Sequence, residues 1–175
     1  MSVTRKFLTA AAAVLLISGA ACASKPATTG TTGSTDSSSS SNTGVTGDNL
    51  SPIPGSEQDF VVNVGDRVYF DYDQYAIRAD ARPILDGQAA WLNRYRSVRV
   101  RIEGNADERG TREYNLALGG RRAEAVRQHL VASGIDPSRI ETISYGKERP
   151  IDPGSNEEAW ARNRNAHTQI TSGAR

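Results

Sequence analysis

Cysteine is almost absent from this 175-residue chain. The single residue is Cys22, so no intrachain disulfide can staple the fold. Histidine is nearly as scarce: His129 and His167 are the two. They stand far apart, and with Cys22 they match none of the usual metal-ligand spacings. An excess of charge is missing as well. With 21 basic and 20 acidic residues the net charge is +1, which argues against the strongly basic face of a nucleic-acid binder. The apolar run from Phe7 to Ile17 is too short to cross a hydrocarbon core of about 30 Å as a helix.

What that run does have is an address. Arg5 and Lys6 precede it, and the small residues Ser18, Gly19, Ala20 and Ala21 follow. Charge, apolar core and small-residue region in that order read as a secretory signal peptide over residues 1–21. Cys22 comes next. Gly19-Ala20-Ala21-Cys22 resembles the bacterial lipobox, although Gly19 stands where the lipobox prefers a large aliphatic residue. The resemblance implies acylation of Cys22, including palmitate-type chains, and multiple chains anchor a protein stably to a bilayer. Ala23 lacks the aspartate that favours inner-membrane retention, so the implied location is the outer membrane, with the folded part in the periplasm.

Residues 22–59 are rich in Ser, Thr and Gly, with five consecutive serines at 37–41. Large apolar side chains are almost missing before Leu50 and Ile53. Such a segment buries too little to offset its ordering entropy and is expected to be a disordered tether. A passive spacer and a tether that lets a domain search a nearby layer are both compatible with it.

From Phe60 to Arg175 the composition becomes globular, enough for one core. Residues 66–70 alternate and predict a strand with Val68 and Phe70 on one face. Residues 79–94 predict a helix, with Leu85, Ala89 and Leu92 at helical spacing and Pro83 near its start. Val98, Val100 and Ile102 alternate with Arg99, Arg101 and Glu103 as a half-buried strand. A polar loop, 104–110, leads to a second helix over about 114–133, which Gly134 ends. Strands over 140–145 and 166–171 flank a short helix that Asn156 can cap. This order predicts an α/β (α+β) two-layer sandwich, a mixed sheet packed by helices.

The second helix carries an oddity. Leu118, Arg122, Ala125 and Val126 share a stripe at spacings of three and four, so Arg122 points toward the sheet. A guanidinium there needs an anion, because an unpaired buried charge is very costly. Asp107 and Glu108 lie in the preceding loop. One reading is an internal Arg122–Asp107 ion pair that pins the loop. The other is a display of both signs to a zwitterion, whose carboxylate suits the arginine fork and whose ammonium suits Asp107.

The segment from Gly104-Asn-Ala-Asp-Glu-Arg-Gly110 through Thr111, Tyr114, Asn115 and Leu118 to Gly120-Arg121-Arg122 resembles the signature of the OmpA-like peptidoglycan-binding domain family. Tyr69-Phe-Asp-Tyr-Asp73, Ser144-Tyr-Gly-Lys147 and Asn163-Arg164 match further, and the resemblance spans essentially all of residues 60–171. It implies non-covalent binding of the diaminopimelate residue of the peptidoglycan stem peptide. Asp107 and Arg122 match the family's binding pair, and Asn115 its helix-start asparagine. Phe70 and Asp71 match the loop lining the site, and Arg109, Thr111, Tyr114 and Leu118 the rest of the signature. Lipid-anchored members also bind TolB within the wider Tol complex, which couples the envelope layers and supports division; a TolB-binding module without strong peptidoglycan affinity is the alternative. The sequence departs from the family at Asn105, where histidine is common, and in a more polar last strand.

A cell-wall hydrolase is the rival class. Two distant histidines cannot supply a zinc amidase site. Ser144-Tyr-Gly-Lys147 matches a Ser-x-x-Lys pattern but falls on a predicted strand end, without the accompanying Lys-Thr-Gly motif. Asp71 with Asp73, or Asp107 with Glu108, would be a poor glycosidase pair so close in sequence. No enzyme activity, metal or cofactor is expected.

Overall fold

The alternation of Val100 and Ile102 with Arg99 and Arg101 sends two side chains into the core and two away from it, as a strand covered on one face requires. This strand organises the sheet in the computed structural model, which describes residues 51–175. The elements are α1 (Glu57–Asp59), β1 (Arg67–Tyr69), α2 (Arg82–Arg94), β2 (Arg99–Asn105), α3 (Arg112–Ala132), β3 (Ile140–Gly146), α4 (Glu157–Asn163) and β4 (Asn165–Ser172). The strand order is β1-β4-β2-β3. β4 runs antiparallel to both neighbours, and β2 and β3 are parallel. The parallel pair needs a crossover, and α3 supplies it. The sheet is therefore mixed and packed by helices, as predicted. The signal peptide, Cys22 and most of the expected tether lie outside the described residues.

The core gathers Leu85 and Leu92 of α2, Val100 and Ile102 of β2, and Val126 and Leu130 of α3, with Phe60, Val68 and Phe70. The polar last strand is accommodated by pairing. Thr168 is buried, and its hydroxyl donates to Gln88 Oε1 of α2 at 3.0 Å, which satisfies both groups.

Secondary structure is present before residue 60. Ser56 caps α1, and a π-helical turn, Phe60–Val64, continues it. Asp59 is buried, accepting from the Gly55 N–H at 2.8 Å and from Trp91 Nε1 at 2.9 Å. That buried carboxylate fastens residues 55–59 to α2, so the expected boundary at 60 cuts through a fastened element.

The approach of α3 to β2 positions the site. A Cβ on Gly104 would lie 1.8 Å from the Gly119 carbonyl oxygen, and one on Gly119 would lie 2.4 Å from Ser144 Oγ. Only glycine at both positions lets helix and sheet backbones meet this closely. The buried stripe of α3 is Leu118, Gly119, Arg122, Ala123, Val126 and Leu130. Ala125 is half-exposed at its edge and Ala123 takes the inner place, which corrects one of the four predicted members of the stripe.

Candidate functional site

Arg122 is fully buried, as its place on the stripe predicts. It does not pair with Asp107. Its Nε donates to the Gln74 carbonyl at 2.8 Å, Nη1 to the Asn105 carbonyl at 2.7 Å, and Nη2 to the Asp71 carbonyl at 3.2 Å. The Phe70 ring centre lies 5.2 Å from its Cζ. A guanidinium has five N–H groups. Three are used here, which leaves one on each terminal nitrogen without an acceptor among the described residues. Burial pushes the Arg122 pKa down to about 10, against the opposing pull of the Asp107 charge, so the group stays cationic at neutral pH.

Asp107 is buried too, near the start of the loop after β2. Burial alone would raise its pKa. The Arg109 side chain and N–H, with Arg164, offset this and hold it below the ordinary value. Arg109 Nη2 lies 2.6 Å and Arg164 Nη1 3.3 Å from Asp107 Oδ2. The internal ion pair expected for Asp107 is thus real, but its partners are Arg109 and Arg164. Arg109 in turn stacks between the rings of Tyr72 and Trp160, at 4.2 and 4.1 Å from their centres. Glu157 reaches Arg109 at 3.6 Å and Arg164 at 2.8 Å.

The start of α3 closes the site. Thr111 is the N-cap, its Oγ1 accepting from the Tyr114 N–H at 3.2 Å. Asn115 Nδ2 donates to the Arg109 carbonyl at 2.8 Å. Gly110 has φ +91°, a backbone that favours glycine. Lys147 Nζ donates to the carbonyls of Glu108 at 3.1 Å and Gly110 at 2.7 Å, fixing the loop from β3.

Together these groups line one cleft of about 410 Å³. Asp107, Arg109, Thr111, Tyr114, Asn115, Leu118 and Arg122 all border it, so seven of the nine predicted side chains converge. Phe70 and Asp71 do not line it. Phe70 is buried beneath Arg122, and the Asp71 side chain turns outward to Arg78 at 3.1 Å while its carbonyl serves Arg122. Tyr72 and Asp73 line the cleft without having been singled out as site residues. Asp73 accepts a hydrogen bond from the Tyr114 hydroxyl. Their spacing from Phe70 was visible, but the bend that turns them inward was not. Trp160 and Arg164 were equally unmarked.

Fold and cleft together define a two-layer α/β binding domain with a buried cation in the floor of a charged cleft. The chain belongs to the OmpA family, whose model matches residues 69–164. It is 56% identical over 118 residues to the peptidoglycan-associated lipoprotein of Mesorhizobium japonicum, covering 67% of this chain and 70% of that one. It is 55% identical over 120 residues to that of Agrobacterium fabrum, covering 69% and 68%. The crystal structure of the peptidoglycan-associated lipoprotein from Burkholderia pseudomallei superposes with a TM-score of 0.59 at 43% identity, over 60% of this chain and 89% of that one. The C-terminal domain of Helicobacter pylori MotB, at 22% identity and TM-score 0.57, over 61% of this chain and 84% of that one, shares the fold.

Proposed function

We propose that this protein is an outer-membrane lipoprotein that grips peptidoglycan without covalent chemistry, through the diaminopimelate residue of the stem peptide. The observation that carries the reading is the buried Arg122 lining the cleft, with two N–H groups that find no acceptor among the described residues. An arginine fork with parallel donors suits a carboxylate. Diaminopimelate presents a free carboxylate beside a free ammonium, and the cleft offers carboxylates for the second charge. Kinship with proteins named for association with peptidoglycan supports the same ligand.

In this reading residues 1–21 are a signal peptide, Cys22 carries the acyl chains, and the Ser/Thr/Gly-rich segment spans from the membrane to the wall. Asp107, Arg109, Asn115 and Thr111 hold the cleft's shape and charge around the ligand, with Tyr114 and Leu118 on its walls. Phe70 and Asp71 act from behind, through the support of Arg122. The protein would work with TolB and the Tol complex to keep the outer membrane attached during constriction. Pelleting of the protein with diaminopimelate-type sacculi, and its loss in Arg122→Ala, tests the reading. A folded protein that pellets with no sacculus would leave it a module for a protein partner.

A further inference from the structure

The end of the sheet opposite the cleft gathers arginines. β2 runs from Arg99 to Asn105, roughly 20 Å at the usual rise per strand residue, and the cleft lies past Asn105. At the Arg99 end, the last turn of α2 and the loop after it bring Arg94 and Arg96, the turn before β3 brings Arg139, and the chain after β4 brings Arg175. Contacts tie these segments together. Arg139 donates to the carbonyls of Leu92 at 3.0 Å, Tyr95 at 3.1 Å and Val98 at 2.9 Å. Arg99 donates to the Ser138 carbonyl at 2.8 Å, and Arg94 stands 5.6 Å over the Tyr95 ring. Burial first, and then the Arg96 and Arg99 charges, push the Arg139 pKa down against the pull of Asp136. Among the described residues none of these arginines forms a salt bridge. The carboxylates of this pole are Glu57, Asp59, Asp136 and that of the last residue. Asp59 is buried against Gly55 and Trp91, and Asp136 accepts from the Ser138 N–H at 2.8 Å. The cations outnumber these anions, and two of the anions are already occupied. The next row of the sheet is balanced, Arg101 standing opposite Glu141.

The chain leading from Cys22 enters the domain at this same pole. The Arg175 N–H donates to the Gly55 carbonyl at 3.0 Å, and a Cβ on Gly55 would lie 2.7 Å from the Tyr95 ring. Just before Gly55, Ile53 is 68% exposed, and on the turn after α1 Val61 and Val62 are exposed as well. Bare aliphatic side chains beside arginines without carboxylate partners suit a lipid–water interface. The guanidiniums reach phosphates with fork-shaped donors, and the aliphatic tips enter the acyl boundary.

We propose that this arginine-rich pole docks on an anionic phospholipid surface. The proposal goes beyond wall binding and takes from the reading above only the membrane that the anchor supplies. Docking would set the tether's attachment point against the bilayer and turn the cleft, at the other end of β2, away from it. The attraction is electrostatic in its main part, so it weakens as salt rises.

The test is flotation of residues 22–175, the mature chain of that reading, with Cys22→Ser so that no acyl chain contributes. The vesicles are phosphatidylcholine with or without one quarter phosphatidylglycerol. The protein should float with the phosphatidylglycerol vesicles alone and should be released by salt. Arg94, Arg96 and Arg175 donate no side-chain hydrogen bond among the described residues, so a triple Arg→Gln variant should fold. It should bind about fivefold more weakly for each arginine removed, on the order of a hundredfold in all. The triple Arg→Lys variant should keep most of the binding, and Ile53→Ser should lose several-fold. No flotation by the folded chain, equal flotation with both vesicles, or an unchanged triple Arg→Gln variant would overturn the proposal. Pelleting with sacculi and the mass of Cys22 in the acylation-competent protein are measured separately. Their failure would sink the wall and anchor readings, whereas the lipid-binding pole stands or falls on flotation.

Discussion

Gly104 of β2 and Gly119 of α3 meet backbone to backbone, so closely that a Cβ on the first would sit 1.8 Å from the carbonyl oxygen of the second. One turn further along α3 stands Arg122. The depth at which its guanidinium enters the fold, and hence the floor of the cleft, is set by this contact.

Gly119→Ala should therefore be strongly destabilising, by about 1–3 kcal/mol or more, the usual cost of overpacking. Gly120→Ala is the control. Its Cβ would lie 3.9 Å from the nearest neighbour, Ser144 Cβ, so the gain in helix propensity should stabilise by about 0.5–1 kcal/mol. Urea denaturation of both variants checks the contrast; equal effects would contradict the close approach.

Arg122→Ala removes the donor for three backbone carbonyls. The variant should stay folded by circular dichroism but unfold at lower denaturant, at a cost of about 2–4 kcal/mol. Arg122→Lys keeps the charge and loses the fork. It should recover part of the stability and none of the carboxylate selectivity, as co-sedimentation with diaminopimelate-type and lysine-type sacculi would show.

Asp107 has a folded-state pKa below its unfolded value of about 3.9. The ionised form is favoured in the fold, so its contribution is fully present above the unfolded pKa and is lost as pH falls through the folded one. Wild type should exceed Asp107→Asn in stability by a constant margin between about pH 5 and 8, and the margin should close on acidification below about pH 4. Denaturation across that range measures it. A margin that grows toward acid would refute the sign.

Trp160 and Tyr72 clasp Arg109 from its two faces. Removing either ring should cost about 0.5–1 kcal/mol of that stacking. Trp160→Ala and Tyr72→Ala should thus weaken binding several-fold with circular dichroism unchanged. Ligand entry should also perturb Trp160 fluorescence, and the perturbation should be absent in Arg109→Ala.

Much of this is legible in the sequence. The period-two pattern of Val98, Val100 and Ile102 marks β2, and the helical spacing around Arg122 correctly turns that cation inward. Sequence spacing failed where long-range register decides. Arg164 reaches Asp107 from 57 residues away, carried there by the antiparallel pairing of β4 with β1 and β2. No local pattern announces that contact, so the internal pair that spacing suggests as one reading for Asp107 names Arg122 instead. The stacking of Tyr72 and Trp160 on Arg109 has the same character, since it joins a bend after β1 to α4. The segment around Asp59 escaped for another reason. A three-residue helix followed by a π-helical turn carries too few residues to show a periodicity, and its buried carboxylate finds Trp91 only in the folded protein.

The most direct test of wall binding is co-sedimentation of the full-length protein with purified sacculi, comparing diaminopimelate-type with lysine-type walls and including Arg122→Ala. A cleft that reads the carboxylate beside the amine should bring the protein down with diaminopimelate walls alone, and Arg122→Ala should stay in solution. Equal pelleting with both walls, or an Arg122→Ala variant that still pellets, would contradict the role given to the buried guanidinium.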